Sequence, residues 1–211
     1  MFEIISYLGL IGVVGFIVVH FMVFPPAKKG IAELKSFPEF KGQWWCFWSS
    51  DLGLLGRLDR LAFLVALICL SALFLTGFGP PLLGGKALTG FLLIIHATAA
   101  PVFIVCVAFL VFNWAYRCRF DAEDREWLRR LCSCRVFGFL KESGVCCKLA
   151  FWFGAILCVP VAMSIIVSMF PIFGTHGLET LFKIHQYGSL LLVLDSMVLL
   201  YFVCRASNCC R

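Results

Sequence analysis

Five long apolar stretches constrain this chain more than any other feature of its sequence. Each approaches the roughly 20 apolar residues that a helix needs to cross about 30 Å of hydrocarbon. Only 14% of the residues are charged, whereas soluble proteins carry about 25%. In a chain of 211 residues, such spans leave no room for a separate soluble enzyme domain. The sequence predicts an all-α integral membrane protein with spans at residues 4–24, 61–78, 88–112, 149–170 and 182–204.

Proline and glycine residues suggest where these helices end or bend. Gly79, Pro80 and Pro81 are expected to end the second helix. Pro101 and Pro160 lie inside the third and fourth spans, where membrane helices tolerate a kink. The first span has neither a basic leader nor a small-residue cleavage site, so we expect it to remain as an anchor helix.

The distribution of basic residues predicts the orientation. Of the 18 Lys and Arg residues, 16 lie in the loops after the first and third spans, in the adjoining helix ends and in the C-terminal tail. The opposite side holds only Lys86 and Lys183. By the positive-inside rule the N-terminus is outside and the C-terminus inside, as expected for a multi-pass protein of the cell inner (cytoplasmic) membrane. The net charge of +6 is therefore mainly a topology signal, and we expect no nucleic acid partner.

The 12 cysteines do not indicate a disulfide framework. In the predicted topology most face a reducing cytosol, where stable disulfides are rare. Their spacing lacks the C-x-x-C pattern of familiar zinc and iron–sulfur sites. The favoured interpretation is that these cysteines are free thiols. The alternatives are that some of them bind a metal or, in a eukaryotic host, that they are palmitoylated. Residues 121–131 of the long cytoplasmic loop read as a short helix, acidic first and basic last.

Two histidines at membrane depth are the main candidates for chemistry, because ionisable residues there are costly. His96 in the third span and His185 in the fifth both lie within about 12 Å of the outer boundary. Two imidazoles at similar depth on different helices suit bis-histidine haem ligation. Gly90 and Gly188 are candidates for letting a flat macrocycle approach the backbone. The alternative is two unrelated histidines, each hydrogen-bonded across the bundle.

Several segments in order resemble one family of membrane cytochromes. Residues 57–60 (RLDR) followed by 70–78 (LSALFLTGF) look like the opening helix of bacterial cytochromes b of the formate dehydrogenase gamma-subunit and hydrogenase type. Residues 90–96 resemble the second haem-binding helix of this family, 124–128 and 148–152 its loop and third helix, and 181–185 its last helix. The resemblance implies a four-helix haem-binding bundle over residues 57–211. Residues 1–56 would then form an extra N-terminal anchor helix and a cytoplasmic linker.

The departures from the family pattern predict a single haem. Family members commonly hold two haems, and the positions of the outer-haem ligands match His96 and His185. The inner-haem positions fall at Arg60 and Leu199, neither of which can bind haem iron. The resemblance thus implies one haem b near the outer face, with His20 as the only spare imidazole at the inner depth. Lys183, Lys86 and His176 are candidates for the cationic groups near its propionates.

The resulting function is a b-type cytochrome membrane subunit of a respiratory complex. It would carry electrons between a membrane quinone, such as menaquinone, and an outer-face c-type cytochrome or iron–sulfur subunit, beside other membrane subunits. Asp195 is predicted to point toward the space of the absent inner haem, because it shares a helix face with the residue four positions later. Candidates for proton transfer or quinone binding are Asp195, Arg57, Arg60 and His20. A structural ion pair or hydrogen bond is the alternative role for Asp195. A haem-free membrane anchor, or a proton or ion transporter, are the alternative functions.

Overall fold

The described part of the chain folds into long helices. The computed structural model describes residues 1–24, 53–84, 88–116, 118–122, 124–126, 129, 143–170 and 172–208. Within these ranges, five helices are long and apolar enough to cross a membrane, which confirms the predicted all-helical, multi-pass class. They are α1 (Phe2–Val23), α2 (Leu54–Gly84), α3 (Gly90–Trp114), α4 (Ser143–Ser168) and α5 (Thr175–Asn208).

Helix α2 is longer than the sequence predicts at both ends. It begins at Leu54 and runs through Pro80 and Pro81 to Gly84, so the prediction that these prolines end the helix is wrong. Proline has a helical φ, and in the last turn of α2 the lost N–H groups and the ring's crowding of the preceding turn affect only the end of the helix. Pro101 and Pro160 lie inside α3 and α4, as predicted.

The four later helices form two hairpins that pack more closely within themselves than against each other. Helix α2 contacts α3 along its length, and α4 contacts α5 likewise, whereas the hairpins meet mainly through limited contact between α3 and α4. Aromatic residues of both hairpins meet in the interior. The Trp114 ring of α3 stacks on Phe63 of α2 with centres 6.0 Å apart and tilts against Phe151 of α4 at 6.2 Å.

Helix α1 lies beside α5 and runs parallel to it. Their contacts advance together along both helices: the rings of Phe2 and Tyr187 meet edge to face at 5.4 Å, and those of His20 and Tyr201 at 5.4 Å. At the start of α1, the Tyr7 hydroxyl donates a 2.6 Å hydrogen bond to the carbonyl of Leu82 in α2. The additional N-terminal helix is therefore joined to the bundle mainly through α5.

The alternating helix directions give the bundle two distinct ends. Helices α1, α3 and α5 begin at the end that we call the histidine end, because His96 and His185 lie toward it. Helices α2 and α4 begin at the opposite end, which we call the arginine end after Arg57 and Arg60.

Candidate functional site

The histidine end brings His96 and His185 together from different hairpins. Their ring centres are 6.4 Å apart, and the ring planes are inclined by 73°. Both side chains are half-buried. Two residues that are far apart in the sequence therefore form one imidazole pair between the hairpins.

A threonine determines which nitrogen of His96 carries the proton. The Thr76 hydroxyl donates its single hydrogen to the carbonyl of Ala72, at 2.7 Å. The same oxygen lies 2.9 Å from Nδ1 of His96, and while the hydroxyl hydrogen is used on Ala72 it accepts from an Nδ1–H group. The neutral ring then carries its lone pair on Nε2, the form that binds a metal ion.

His185 is held in the same tautomer by helix α4. Its Nδ1 lies 3.1 Å from the carbonyl of Val161, which can only accept a hydrogen bond. The Ser164 hydroxyl donates to the same carbonyl at 2.7 Å and accepts a longer, 3.4 Å contact from Nδ1–H of His185. Each imidazole thus donates through Nδ1 to a neighbouring helix and keeps an Nε2 lone pair for another partner.

Glycines at this end allow the helices to approach closely. A Cβ atom on Gly77 would lie 3.1 Å from Cε1 of His96, so this glycine lets the imidazole rest against α2. A Cβ on Gly188 would lie 2.8 Å from Cγ2 of Val161, so Gly188 brings α5 close to α4. Gly90 begins α3 with φ of +61°, a conformation that favours glycine, and faces open space.

The donor set at the histidine pair suits a metal ion that brings other ligands of its own. No group of three or more His, Cys, Asp or Glu side chains is placed to hold a metal within the described ranges. Two imidazoles alone cannot complete a zinc site, which takes three or four protein ligands. Haem iron needs only axial ligands from the protein, and the two Nε2 lone pairs of His96 and His185 can supply them. The residues present therefore fit a bis-histidine haem.

A cavity of about 120 Å³ lies on the arginine side of the histidine pair. Helices α2, α3, α4 and α5 all contribute to its walls, so it occupies the space between the two hairpins. Leu199 lines it, at the position where the cytochrome pattern would require an inner-haem ligand. Its described lining contains no imidazole.

Asp195 brings a carboxyl group into this apolar cavity. Its Oδ2 atom is buried and has no hydrogen-bond partner among the described residues. A Cβ atom on Gly154 would come within 2.6 Å of this oxygen, so the absence of a side chain there makes room for the carboxyl group. No ion pair joins Asp195 to Arg57 or Arg60 within the described ranges. The structure thus places Asp195 in the wall of the space between the two hairpins.

The remaining candidates lie away from the histidine pair. His20 is buried between α1 and α5, and its Nδ1 lies 2.7 Å from the Tyr201 hydroxyl. Lys183 is exposed on α5 and pairs with Glu179 at 2.6 Å, one turn away. His176 is exposed near the start of α5, and Arg57 is exposed near the start of α2. Lys86 and the thiols of Cys46, Cys132, Cys134, Cys209 and Cys210 lie outside the described residues.

Sequence reasoning missed a buried ion pair at the arginine end. The side chain of Lys148 in α4 is only 5% exposed, and its Nζ lies 2.6 Å from Asp124 and 3.4 Å from Asp121. Residues 122, 124–126 and 129 are helical, which confirms part of the expected loop helix. Its early acids contact a lysine of the next membrane helix. The sequence signal for this ion pair was Lys148, a lysine among apolar residues that follows the acidic segment 121–126.

Comparison with known proteins adds no assignment. No protein-family model matches the chain, and neither a curated protein nor a solved structure matches it. The cytochrome b resemblance stays a prediction from residues and spacing.

Proposed function

We propose that this protein is a b-type cytochrome membrane subunit of a respiratory complex. The observation that carries the proposal is the imidazole pair of His96 and His185, whose ring centres are 6.4 Å apart. Each ring donates a hydrogen bond through Nδ1 and keeps a lone pair on Nε2. One haem b, held by these two residues, would supply reversible one-electron chemistry.

The residues around the pair support this role by holding the ligands. Thr76 and the carbonyl of Val161 accept from the ring N–H groups, and such partners orient a ligating histidine and raise its basicity. The ligands come from α3 and α5, so a bound haem would join the two hairpins.

The proposed partners follow from topology and composition. The positive-inside rule puts the histidine end at the outer face, where a c-type cytochrome or iron–sulfur subunit would exchange electrons. The other redox partner is a quinone in the membrane. Substrate oxidation or reduction would belong to another subunit, since five spans occupy most of the chain.

The test is the haem content of the purified full-length protein. A reduced-minus-oxidised optical spectrum and a pyridine haemochrome assay should give a b-type band and about one haem per chain. His96→Ala and His185→Ala should each lose that haem, because one axial ligand disappears. Thr180→Ala is the matched control, an exposed residue on the same helix as His185 but outside the pair, and should keep it.

Two results would contradict the proposal. A folded, monodisperse protein without haem, expressed in a haem-replete host, would remove the electron-transfer function and favour the membrane anchor. Full haem content in both ligand variants would show that the imidazole pair is not the site.

A further inference from the structure

The cavity between the hairpins has walls suited to a flat apolar ring. Aromatic side chains contribute from three helices: Phe63 from α2, Phe103 and Trp114 from α3, and Phe151 from α4. Its volume of about 120 Å³ is comparable to the engineered apolar cavity of ~150 Å³ that binds benzene. The space therefore suits one substituted ring better than a large macrocycle.

The carboxyl group of Asp195, in the cavity wall, has one oxygen without a hydrogen-bond partner among the described residues. This oxygen, Oδ2, is buried, and an unpaired buried polar atom destabilises the fold. Ser196, the next residue, also lines the cavity, but its hydroxyl donates to the carbonyl of Leu192 at 2.7 Å. A ligand that combines an apolar ring with a hydrogen-bonding oxygen would satisfy both the walls and Asp195.

We propose that this cavity binds the head-group ring of a membrane quinone, with Asp195 hydrogen-bonded to one ring oxygen. The choice of a quinone rests on the proposed electron-transfer function. A protonated carboxyl group can donate to a quinone carbonyl, and a carboxylate can accept from a quinol hydroxyl, so one side chain serves both forms. Asp195 lies ten residues after His185 on α5, about 15 Å along the helix, so the ring and the histidine pair are separate sites.

The test is the binding of decyl-benzoquinone to the purified full-length protein in detergent. Calorimetric titration should show saturable binding of one molecule per chain. Asp195→Leu removes the polar partner while keeping a side chain of similar size, and should weaken binding at least tenfold. Asp195→Asn keeps a hydrogen-bonding group and should remain within a few-fold of the wild type.

A cavity-filling variant and its control test the location. Ala155 lines the cavity, and Ala155→Phe should abolish binding by occupying the ring's space. Ala108 lies exposed on α3 outside the cavity lining, and Ala108→Phe adds the same ring without filling the site. Equal binding by Ala155→Phe and the wild type, each monodisperse in size-exclusion chromatography, would overturn the assignment. So would the absence of saturable binding to the wild type.

Haem content measured on the same samples separates the two proposals. A haem-containing wild type that fails to bind the quinone overturns the cavity assignment alone. A haem-free wild type that binds it, with the loss expected in Ala155→Phe, supports the cavity assignment and contradicts the cytochrome.

Discussion

At the scale of single residues, the partners of the two imidazoles matter as much as the imidazoles. A histidine in an apolar span can be found by reading the sequence, and both His96 and His185 were. The Thr76 hydroxyl that selects the tautomer of His96 lies on another helix, and only the packing of α2 against α3 brings them within 2.9 Å. The Thr-Gly pair in the second span was visible as a motif, but its physical role required the tertiary contact.

Replacing Thr76 by Val should weaken haem retention while leaving both axial ligands in place. The methyl group fills the space but cannot accept from Nδ1–H of His96, and loss of such a partner typically costs about 10–100-fold in metal affinity. Thr76→Ser should restore most of it. Haem retention during dilution, followed by the b-type absorption band, measures the effect. Equal retention by Thr76→Val and the wild type would contradict this role.

The two acids that contact Lys148 should differ sharply in their effect on stability. The Asp124 side chain is 12% exposed and that of Asp121 is 59% exposed. Asp124→Asn removes the close partner of a buried charge and should destabilise the fold by about 3–5 kcal/mol. Asp121→Asn should cost less than about 1 kcal/mol, because its pair is solvent-screened. Thermal unfolding of both variants in the same detergent makes the comparison, and similar melting temperatures would refute it.

At the scale of helices, the sequence predicted number and position better than length. Continuous apolar residues identify a span because lipid requires them, and each predicted span lies largely within one observed helix. Helix ends depend on local geometry, and α2 continues over Pro80 and Pro81 where composition alone indicates a stop. Helix pairing was harder still. That α1 would align in parallel with α5 was not evident, since apolar residues cover α1 on all sides and leave no face to recognise.

At the scale of the whole molecule, the gap between the hairpins predicts that cofactor loading stabilises the fold. The α2–α3 and α4–α5 hairpins touch each other over a small area, and the haem ligands come from one hairpin each. A ligand that binds only the folded protein stabilises it by about 4 kcal/mol at a thousand times its Kd. The haem-loaded protein should therefore melt at a clearly higher temperature than a preparation made under haem depletion.

The matched control for that prediction is His185→Ala, prepared with and without haem. This variant lacks one of the two ligands that join the hairpins, so haem should leave its melting temperature nearly unchanged. An equal increase in the variant and the wild type would show that any stabilisation arises elsewhere in the molecule.

The parallel contact between α1 and α5 has a consequence for biosynthesis. His20 and Tyr201, which meet in this contact, are separated by 181 positions in the chain. At about 5–20 residues per second, a ribosome needs roughly 10–40 s to make the intervening chain. During that interval α1 has left the translocon while its main neighbour does not yet exist, so lipid or an insertion factor must cover it. Helix α1 is made before the other four described helices and is then among the last of them to reach its final position.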